Sequence, residues 1–193
     1  MRQALSAFAI GAGILVAALL GIAATRPNSF RVQRSRDIQA PPEKIFALIQ
    51  DFRQWPVWSP YEKLDPAMTR RYSGSPSGRG AVYHWAGNSK AGEGRAEITA
   101  TSAPNSVAIE LDFLKPFEGH NTVEFTIRPH GDSTTVTWAM YGPQRYLVKV
   151  ISLFLSMDRM MGREFEAGLA NMESVVTQRN GWSSTAVRQI PRL

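Results

Sequence analysis

The start of the chain constrains it more than any other part, because residues 4–24 form an apolar run without a single charge. As a helix, such a run is about 30 Å long, which matches the hydrocarbon core of a bilayer. We therefore interpret residues 1–25 as an uncleaved transmembrane anchor that makes the chain a single-pass membrane protein. A signal peptide cleaved near Ala23 and Ala24 is the alternative, because small residues mark such cleavage sites.

The positive charge lies mainly at the two ends of the chain. The formal net charge is +6, yet residues 37–178 carry 14 basic and 16 acidic side chains. Residues 1–36 carry five arginines and no acidic residue, so residues 26–36 are predicted to be a basic juxtamembrane linker. A slightly acidic domain argues against a nucleic-acid face. The flanking arginines suit anionic lipid headgroups, or they act as a topology signal alone.

The arginine bias around the apolar run favours a cytoplasmic domain, and an extracytoplasmic or periplasmic domain stays open. Gly13, Ala17 and Gly21 recur every four residues, a spacing that lets two membrane helices approach closely. A weak homodimer through this segment is therefore one possible partner interaction.

The composition and the motifs offer little for catalysis. The chain contains no cysteine, which excludes disulfides, thiolate metal sites and cysteine nucleophiles. Nucleotide-binding, metalloprotease and serine-hydrolase motifs are absent from the sequence, so we expect neither a metal nor a cofactor. Among three histidines, only His120, beside Glu118 and Asn121, is a candidate acid or base, and a solvated strand-end histidine is the simpler interpretation. Enzymatic activity stays open, with a binding protein favoured.

The middle of the chain has the pattern of an antiparallel sheet. Turn sequences recur about every ten residues between residues 73 and 132, and the runs between them alternate apolar and polar residues. Val107, Ile109 and Leu111 share one face in this way, as expected where a single sheet face is covered. The cover is a predicted C-terminal helix whose apolar residues recur at steps of four and three from Met161 to Val176. Residues 179–193 are predicted to be a disordered tail.

Several stretches together carry a family resemblance: APPEKIFALI at 40–49, FRQWPVWSP at 52–60, AVYHWAGN at 81–88, FLKPFEG at 113–119 and MDRMMGREFEAGLANM at 157–172. With this order of elements, the chain resembles the START/Bet v 1-like (SRPBCC) superfamily, most closely its polyketide cyclase/dehydrase and lipid-transport family. The resemblance implies an α+β helix-grip fold for residues 37–178, with a curved antiparallel sheet wrapped around the long C-terminal helix. It also implies a ligand cavity between sheet and helix.

Side chains of matching parity are expected to line that cavity. The candidate ligand-binding residues are Trp55, Trp58, Tyr83, Trp85, Phe113, Asn121, Trp138, Met140, Met157, Met161 and Phe165. Aromatic side chains give large contact areas, and methionines adapt to irregular apolar ligands. An ordinary filled core would use the same residue types, which leaves a core without a cavity as the alternative.

Three functions are compatible with these features. The leading prediction is membrane-anchored binding or transfer of a lipid or other hydrophobic small molecule. A cyclase- or hydratase-type enzyme acting on an apolar substrate is the second, and it requires two or more polar groups that converge in the cavity. The third is a non-catalytic protein-interaction module at the membrane, which a filled core with an exposed apolar patch would favour. The apolar segment at residues 146–157 is predicted to be a buried helix, a lid or a membrane-facing patch.

Overall fold

The computed structural model describes residues 2–144, 146–153 and 156–185, with side chains described for residues 11–15, 17–144, 146, 148–153 and 156–178. These described residues form four α-helices and seven strands, and two short 3₁₀ helices separate the second helix from the second strand. The elements are α1 (Arg2–Thr25), β1 (Ser29–Ile38), α2 (Pro42–Ile49), the 3₁₀ helices Phe52–Val57 and Pro60–Lys63, β2 (Thr69–Gly74), β3 (Ala81–Ala86), β4 (Glu93–Ser102), β5 (Ser106–Lys115), β6 (Gly119–His130), β7 (Ser133–Pro143), α3 (Tyr146–Ile151) and α4 (Met157–Thr185).

The seven strands form a single sheet in the order β1-β7-β6-β5-β4-β3-β2. Every neighbouring pair is antiparallel, and β1 returns to pair with β7 along its whole length. Short turns join successive strands from β2 to β7, as the spacing of turn residues predicts. The curved sheet and α4 make a helix-grip fold, which confirms that part of the predicted architecture.

The core lies between one face of the sheet and α4. Val107 and Ile109 of β5 and Phe125 of β6 are fully buried, as their alternation with polar residues predicts. On the helix side, Leu169 and Met172 are also buried, because they recur on one stripe of α4. Burying these two apolar faces against each other is the main source of stability for such a layered domain.

The aromatic corner after α2 is fixed by hydrogen bonds to the end of that helix. The last carbonyl groups of a helix lack partners within the helix. Here the indole Nε1 of Trp55 donates to the carbonyl of Ile49 at 3.1 Å, and that of Trp58 donates to the carbonyl of Leu48 at 3.2 Å. The two tryptophans therefore cap α2 while they bury their rings in the core.

The structure changes the prediction for the N-terminal region. Residues 2–25 are helical, but among the residues that the structure describes no helix is long and apolar enough to cross a membrane, so the predicted transmembrane anchor is not supported. Most of the predicted linker at 26–36 belongs to β1, because the strand begins at Ser29.

Two arginines of that predicted linker pair with α4 instead of remaining available to lipid. Arg34 contacts Asp158 at 2.9 Å and Glu166 at 2.7 Å, and Arg36 contacts Glu173 at 2.6 Å. Arg34 and Arg36 project from the same side of β1, since alternate residues of a strand share a face. These ion pairs attach the first strand to the last helix.

The ends of α3 and α4 refine two further predictions. The segment at 146–157 begins as the short helix α3, which contacts α1 through a 2.7 Å hydrogen bond from the Tyr146 hydroxyl to the Leu20 carbonyl. Lys149 of α3 is only 5% exposed and donates to the Arg26 carbonyl at 2.9 Å. Helix α4 continues to Thr185, so the predicted tail is helical at residues 179–185, and residues 186–193 lie outside the described residues.

Candidate functional site: a cavity between sheet and helix

A cavity of about 550 Å³ lies between the inner face of the sheet and α4. Strands β3 to β7 supply one wall, α4 supplies the opposite wall, and the 3₁₀ helices close one side. The lining is mostly apolar, with a few polar groups, which is the usual composition of a small-molecule site. The sequence left open a filled core as the alternative. The structure instead has a cavity between the sheet and α4.

Ten of the eleven predicted ligand-binding residues line this cavity. They are Trp55, Tyr83, Trp85, Phe113, Asn121, Trp138, Met140, Met157, Met161 and Phe165. Period-two alternation in the strands identified the sheet residues, and the apolar stripe of α4 identified the helix residues.

Trp58 is the exception, and its assignment to the cavity is corrected. Its ring is fully buried and packs edge-to-face against Phe125 and Trp138, at centroid distances of 6.0 and 5.5 Å. The hydrogen bond from its indole to α2 directs the ring into the core beneath the cavity. The two tryptophans lie three residues apart in the sequence, which does not indicate that only Trp55 lines the cavity.

The aromatic wall is continuous across the sheet. Tyr83 contacts Trp85 at 5.8 Å between ring centroids, and Trp85 contacts Phe113 edge-to-face at 5.9 Å. The indole Nε1 of Trp85 donates to the Ala91 carbonyl at 3.0 Å, which fixes the ring and satisfies its polar atom. A wall whose rings are held in this way can contact a flat or elongated apolar ligand without losing much side-chain entropy.

A buried carboxylate interrupts the apolar lining, and sequence analysis did not identify it. The side chain of Glu62 is only 4% exposed and lies on the cavity wall. One carboxylate oxygen accepts a 2.7 Å hydrogen bond from the Tyr83 hydroxyl, and the other accepts a 2.6 Å bond from Nε of Arg70. In the sequence Glu62 stands between an aromatic residue and a lysine, and no recognisable spacing connects it to Arg70 or Tyr83.

The electrostatics of this network keep the donor groups protonated. Burial, and then the hydrogen bond to Glu62, raise the pKa of the Tyr83 hydroxyl well above its usual value of 10. The same carboxylate, through its hydrogen bond, raises the pKa of Arg70. Burial likewise raises the pKa of Tyr61, a second cavity tyrosine, and the nearby charge of Glu164 adds to this effect. Both cavity phenols therefore act as hydrogen-bonding groups rather than as bases at neutral pH.

A second polar group of residues lies where β6 begins. His120 and Asn121 line the cavity there, and Nδ1 of His120 lies 2.7 Å from Oδ1 of Asp112. The His120 side chain is 76% exposed, which agrees with the expectation of a solvated strand-end histidine. Asn121 fits against the neighbouring strand because Gly142 has no side chain, and a Cβ there would collide with the amide oxygen of Asn121.

The opening of the cavity carries exposed apolar side chains. Phe117, in the turn between β5 and β6, is 73% exposed and lines the cavity, as does the partly exposed Leu64. Val148 of α3 contributes to the same lining. Helix α3, which contacts α1, therefore borders the cavity.

No group of three or more metal-ligating side chains is found among the residues that the structure describes. The described polar side chains that line the cavity are those of Trp55, Trp85, Trp138, Tyr61, Tyr83, Glu62, Glu118, His120, Asn121 and Gln144.

Solved structures share this fold at low sequence identity. A protein from Mycobacterium smegmatis, Ms6760, is 19% identical with a TM-score of 0.54, and the match covers 77% of this chain and 92% of that one. The ginseng major latex-like protein 151 from Panax ginseng is 12% identical with a TM-score of 0.56, covering 78% and 99%. The Aha1 dimer from Colwellia psychrerythraea is 13% identical with a TM-score of 0.55, covering 76% and 96%.

A search of curated proteins finds no match. A family model does match, over residues 29–177, which is most of the chain and coincides with β1 to α4. Its description is polyketide cyclase/dehydrase and lipid transport. The predicted resemblance is thereby confirmed, and the chain belongs to the polyketide cyclase/dehydrase and lipid transport family.

Proposed function

We propose that the chain binds and carries a lipid or another apolar small molecule in the cavity between the sheet and α4. The observation that carries the proposal is the cavity of about 550 Å³, which is lined by rings and methionines. Its volume falls within the range of roughly 300–1,000 Å³ typical of small-molecule sites. Family and fold agree with a hydrophobic-ligand-binding or cyclase-like domain.

The cavity favours this function over a protein-interaction module. A module that only contacts other proteins would gain stability by filling its interior, because empty apolar volume lowers stability. Here Trp138 and Tyr83, which are large enough to fill a core, line open space instead.

Native mass spectrometry of the full chain, purified from its host under gentle conditions, tests the proposal. We expect a mass increment from a copurified apolar molecule, identified after extraction. A chain that emerges empty, and that also fails to take up fatty alcohols, fatty acids and phospholipids, would overturn it.

A second candidate function is catalysis on the bound apolar molecule, and one observation favours it. His120 and Asp112 form a hydrogen-bonded pair at the edge of the cavity, an arrangement that orients a histidine for proton transfer. Conversion of the copurified molecule by the wild type, but not by His120→Ala, would support an enzyme. Equal behaviour of the two proteins towards that molecule would leave His120 without a catalytic role.

We further propose that α1 attaches the domain to a membrane, with the domain on the cytoplasmic side. Ile14 and Leu15 of α1 are 66% and 61% exposed, and the helix contacts α3, which borders the cavity. A membrane fraction that retains the full chain after an alkaline wash, but not a chain lacking residues 2–25, is the expected result. Recovery of both chains in the soluble fraction would refute attachment.

The side of the membrane can be tested directly, since the chain contains no cysteine. A single Asp132→Cys variant should resist a membrane-impermeant maleimide in intact cells if the domain is cytoplasmic.

The weak homodimer through α1 has its own test, the coprecipitation of two differently tagged copies of the chain. Copies that do not coprecipitate would exclude it.

A further inference from the structure

Two carboxylates and one histidine line the cavity among the residues that the structure describes. Among the described residues that line it, the charged side chains are those of Glu62 and Glu118, and none is lysine or arginine. His120 is the one basic residue type among these described lining residues, and its side chain is 76% exposed. An anionic ligand group that approaches Glu62 would therefore meet a carboxylate.

Glu62 is held in place and retains capacity for a further hydrogen bond. Arg70 binds it twice, through Nε to the carboxylate and through Nη2 to the main-chain carbonyl of Glu62 at 3.0 Å. Tyr83 binds the other carboxylate oxygen. A carboxylate has about four lone-pair sites and no proton to donate, so this one can accept from a ligand but cannot donate to it.

Arg70, the positively charged partner of Glu62, does not line the cavity. Arg70 lies on β2, the edge strand, and is not among the residues that line the cavity. Glu62 and its hydrogen-bond partner Tyr83 both line the cavity, together with the apolar rings of Trp55 and Trp85. Charge interactions are stronger in such apolar surroundings than in water.

We propose that Glu62 selects the ligand by its polar group: it favours apolar molecules that carry a neutral hydroxyl group and disfavours those that carry a carboxylate. The ligand hydroxyl donates to the free lone pair of Glu62, in the same way as the Tyr83 hydroxyl does. A ligand carboxylate has no proton to donate at neutral pH, so it cannot form a hydrogen bond with the free lone pair of Glu62. This inference rests on the proposed binding function and specifies its ligand class.

A matched pair of ligands tests the inference on the full chain. Dodecanol and dodecanoate share one hydrocarbon chain and differ in the polar group, and the acid is ionised at pH 8. Each is titrated against protein loaded with the neutral fluorophore N-phenyl-1-naphthylamine, and displacement gives the apparent Kd. We expect the wild type to bind the alcohol at least about tenfold more tightly than the acid, a difference that corresponds to about 1.4 kcal/mol.

Two variants identify the source of that preference. Glu62→Gln removes the charge with little change in volume and should reduce the alcohol preference to near unity. Tyr83→Phe keeps the charge and releases one carboxylate lone pair, so it should retain the preference, and it keeps the test valid if Glu62→Gln does not fold. Glu110→Gln, at an exposed carboxylate of β5 that does not line the cavity, serves as the control and should also retain it. Thermal melting shows which variants are folded.

The possible results separate the two proposals. Equal binding of alcohol and acid by the wild type would overturn the role of Glu62 and leave hydrophobic-ligand binding intact. An alcohol preference that survives in folded Glu62→Gln, or that disappears in Tyr83→Phe or Glu110→Gln, would also overturn it. A wild-type chain that binds neither ligand nor the fluorophore would refute the binding function and the inference together.

Discussion

The indole ring of Trp138 and the phenyl ring of Phe165 stack face to face, with centroids 4.3 Å apart and planes inclined by 8°. One ring belongs to β7 and the other to α4, so this pair connects the sheet directly to the helix that covers it. Both rings also line the cavity. The same contact therefore stabilises the fold and forms part of the ligand-binding surface.

Phe165→Ala should destabilise the domain by about 3–5 kcal/mol, the usual cost of truncating a buried phenylalanine. Phe165 is 1% exposed, so its removal enlarges an existing cavity instead of allowing the core to close. Urea unfolding measures the change. Met160→Ala, at a 58% exposed position of the same helix, should change stability by no more than about 0.5 kcal/mol. Similar losses in both variants would contradict this role of Phe165.

Met161→Glu should abolish uptake of apolar ligands, because it places a charge in an apolar cavity lined by Met161. Met160→Glu is the matched control, since its neighbouring position is exposed and does not line the cavity. Displacement of a bound fluorophore measures uptake, and circular dichroism confirms folding. Ligand uptake by folded Met161→Glu would show that the ligand lies elsewhere.

Trp58→Phe and Trp55→Phe should have similar effects on stability and different effects on binding. Each removes an indole hydrogen bond to the end of α2 and leaves a buried carbonyl without its partner, at a cost of about 1–3 kcal/mol. Only Trp55 lines the cavity, so only its replacement should change ligand affinity. Parallel melting and fluorophore titrations measure the two effects. A loss of affinity in Trp58→Phe alone would reverse the assignment.

Many cavity residues could be predicted from the sequence, because side-chain direction repeats regularly along strands and helices. A strand alternates its side chains between two faces, so Tyr83 and Trp85 could be placed beside each other before the structure was known. The stripe on α4 predicted Met161 and Phe165 in the same way. Residues of this kind were placed correctly because one local rule determines which face they occupy.

The misplaced or missing residues depend on contacts between different secondary-structure elements, whether these are near or distant in the sequence. Glu62 and Arg70 meet only when β2 lies beside the 3₁₀ helices, and no sequence period connects them. Arg34 was assigned to a juxtamembrane linker because it follows an apolar run, whereas its partner Glu166 lies 132 residues away. Charged pairs of this type are determined by the tertiary arrangement, which local propensity does not describe.

The pairing of Arg34 with Asp158 predicts an acid-dependent contribution to stability. Two nitrogens of Arg34 donate to the two carboxylate oxygens of Asp158, at 2.9 and 3.0 Å. These hydrogen bonds lower the pKa of Asp158 below its usual value of 3.8. A carboxyl group whose pKa is lowered by folding stabilises the folded state above its unfolded pKa, and this contribution is lost as the pH falls through the lowered value.

Asp158→Asn should therefore melt at a lower temperature than the wild type at neutral pH, and the difference should shrink as the pH falls below about 4. The same difference should shrink at 1 M salt, because Asp158 is largely exposed and its ion pair is screened. Calorimetry of both proteins between pH 2.5 and 7 measures the effect. Asp132→Asn, at an exposed position in the turn after β6, should show no such pH-dependent difference. A constant difference for Asp158→Asn across the pH range would mean that the carboxylate charge does not stabilise the attachment of β1 to α4.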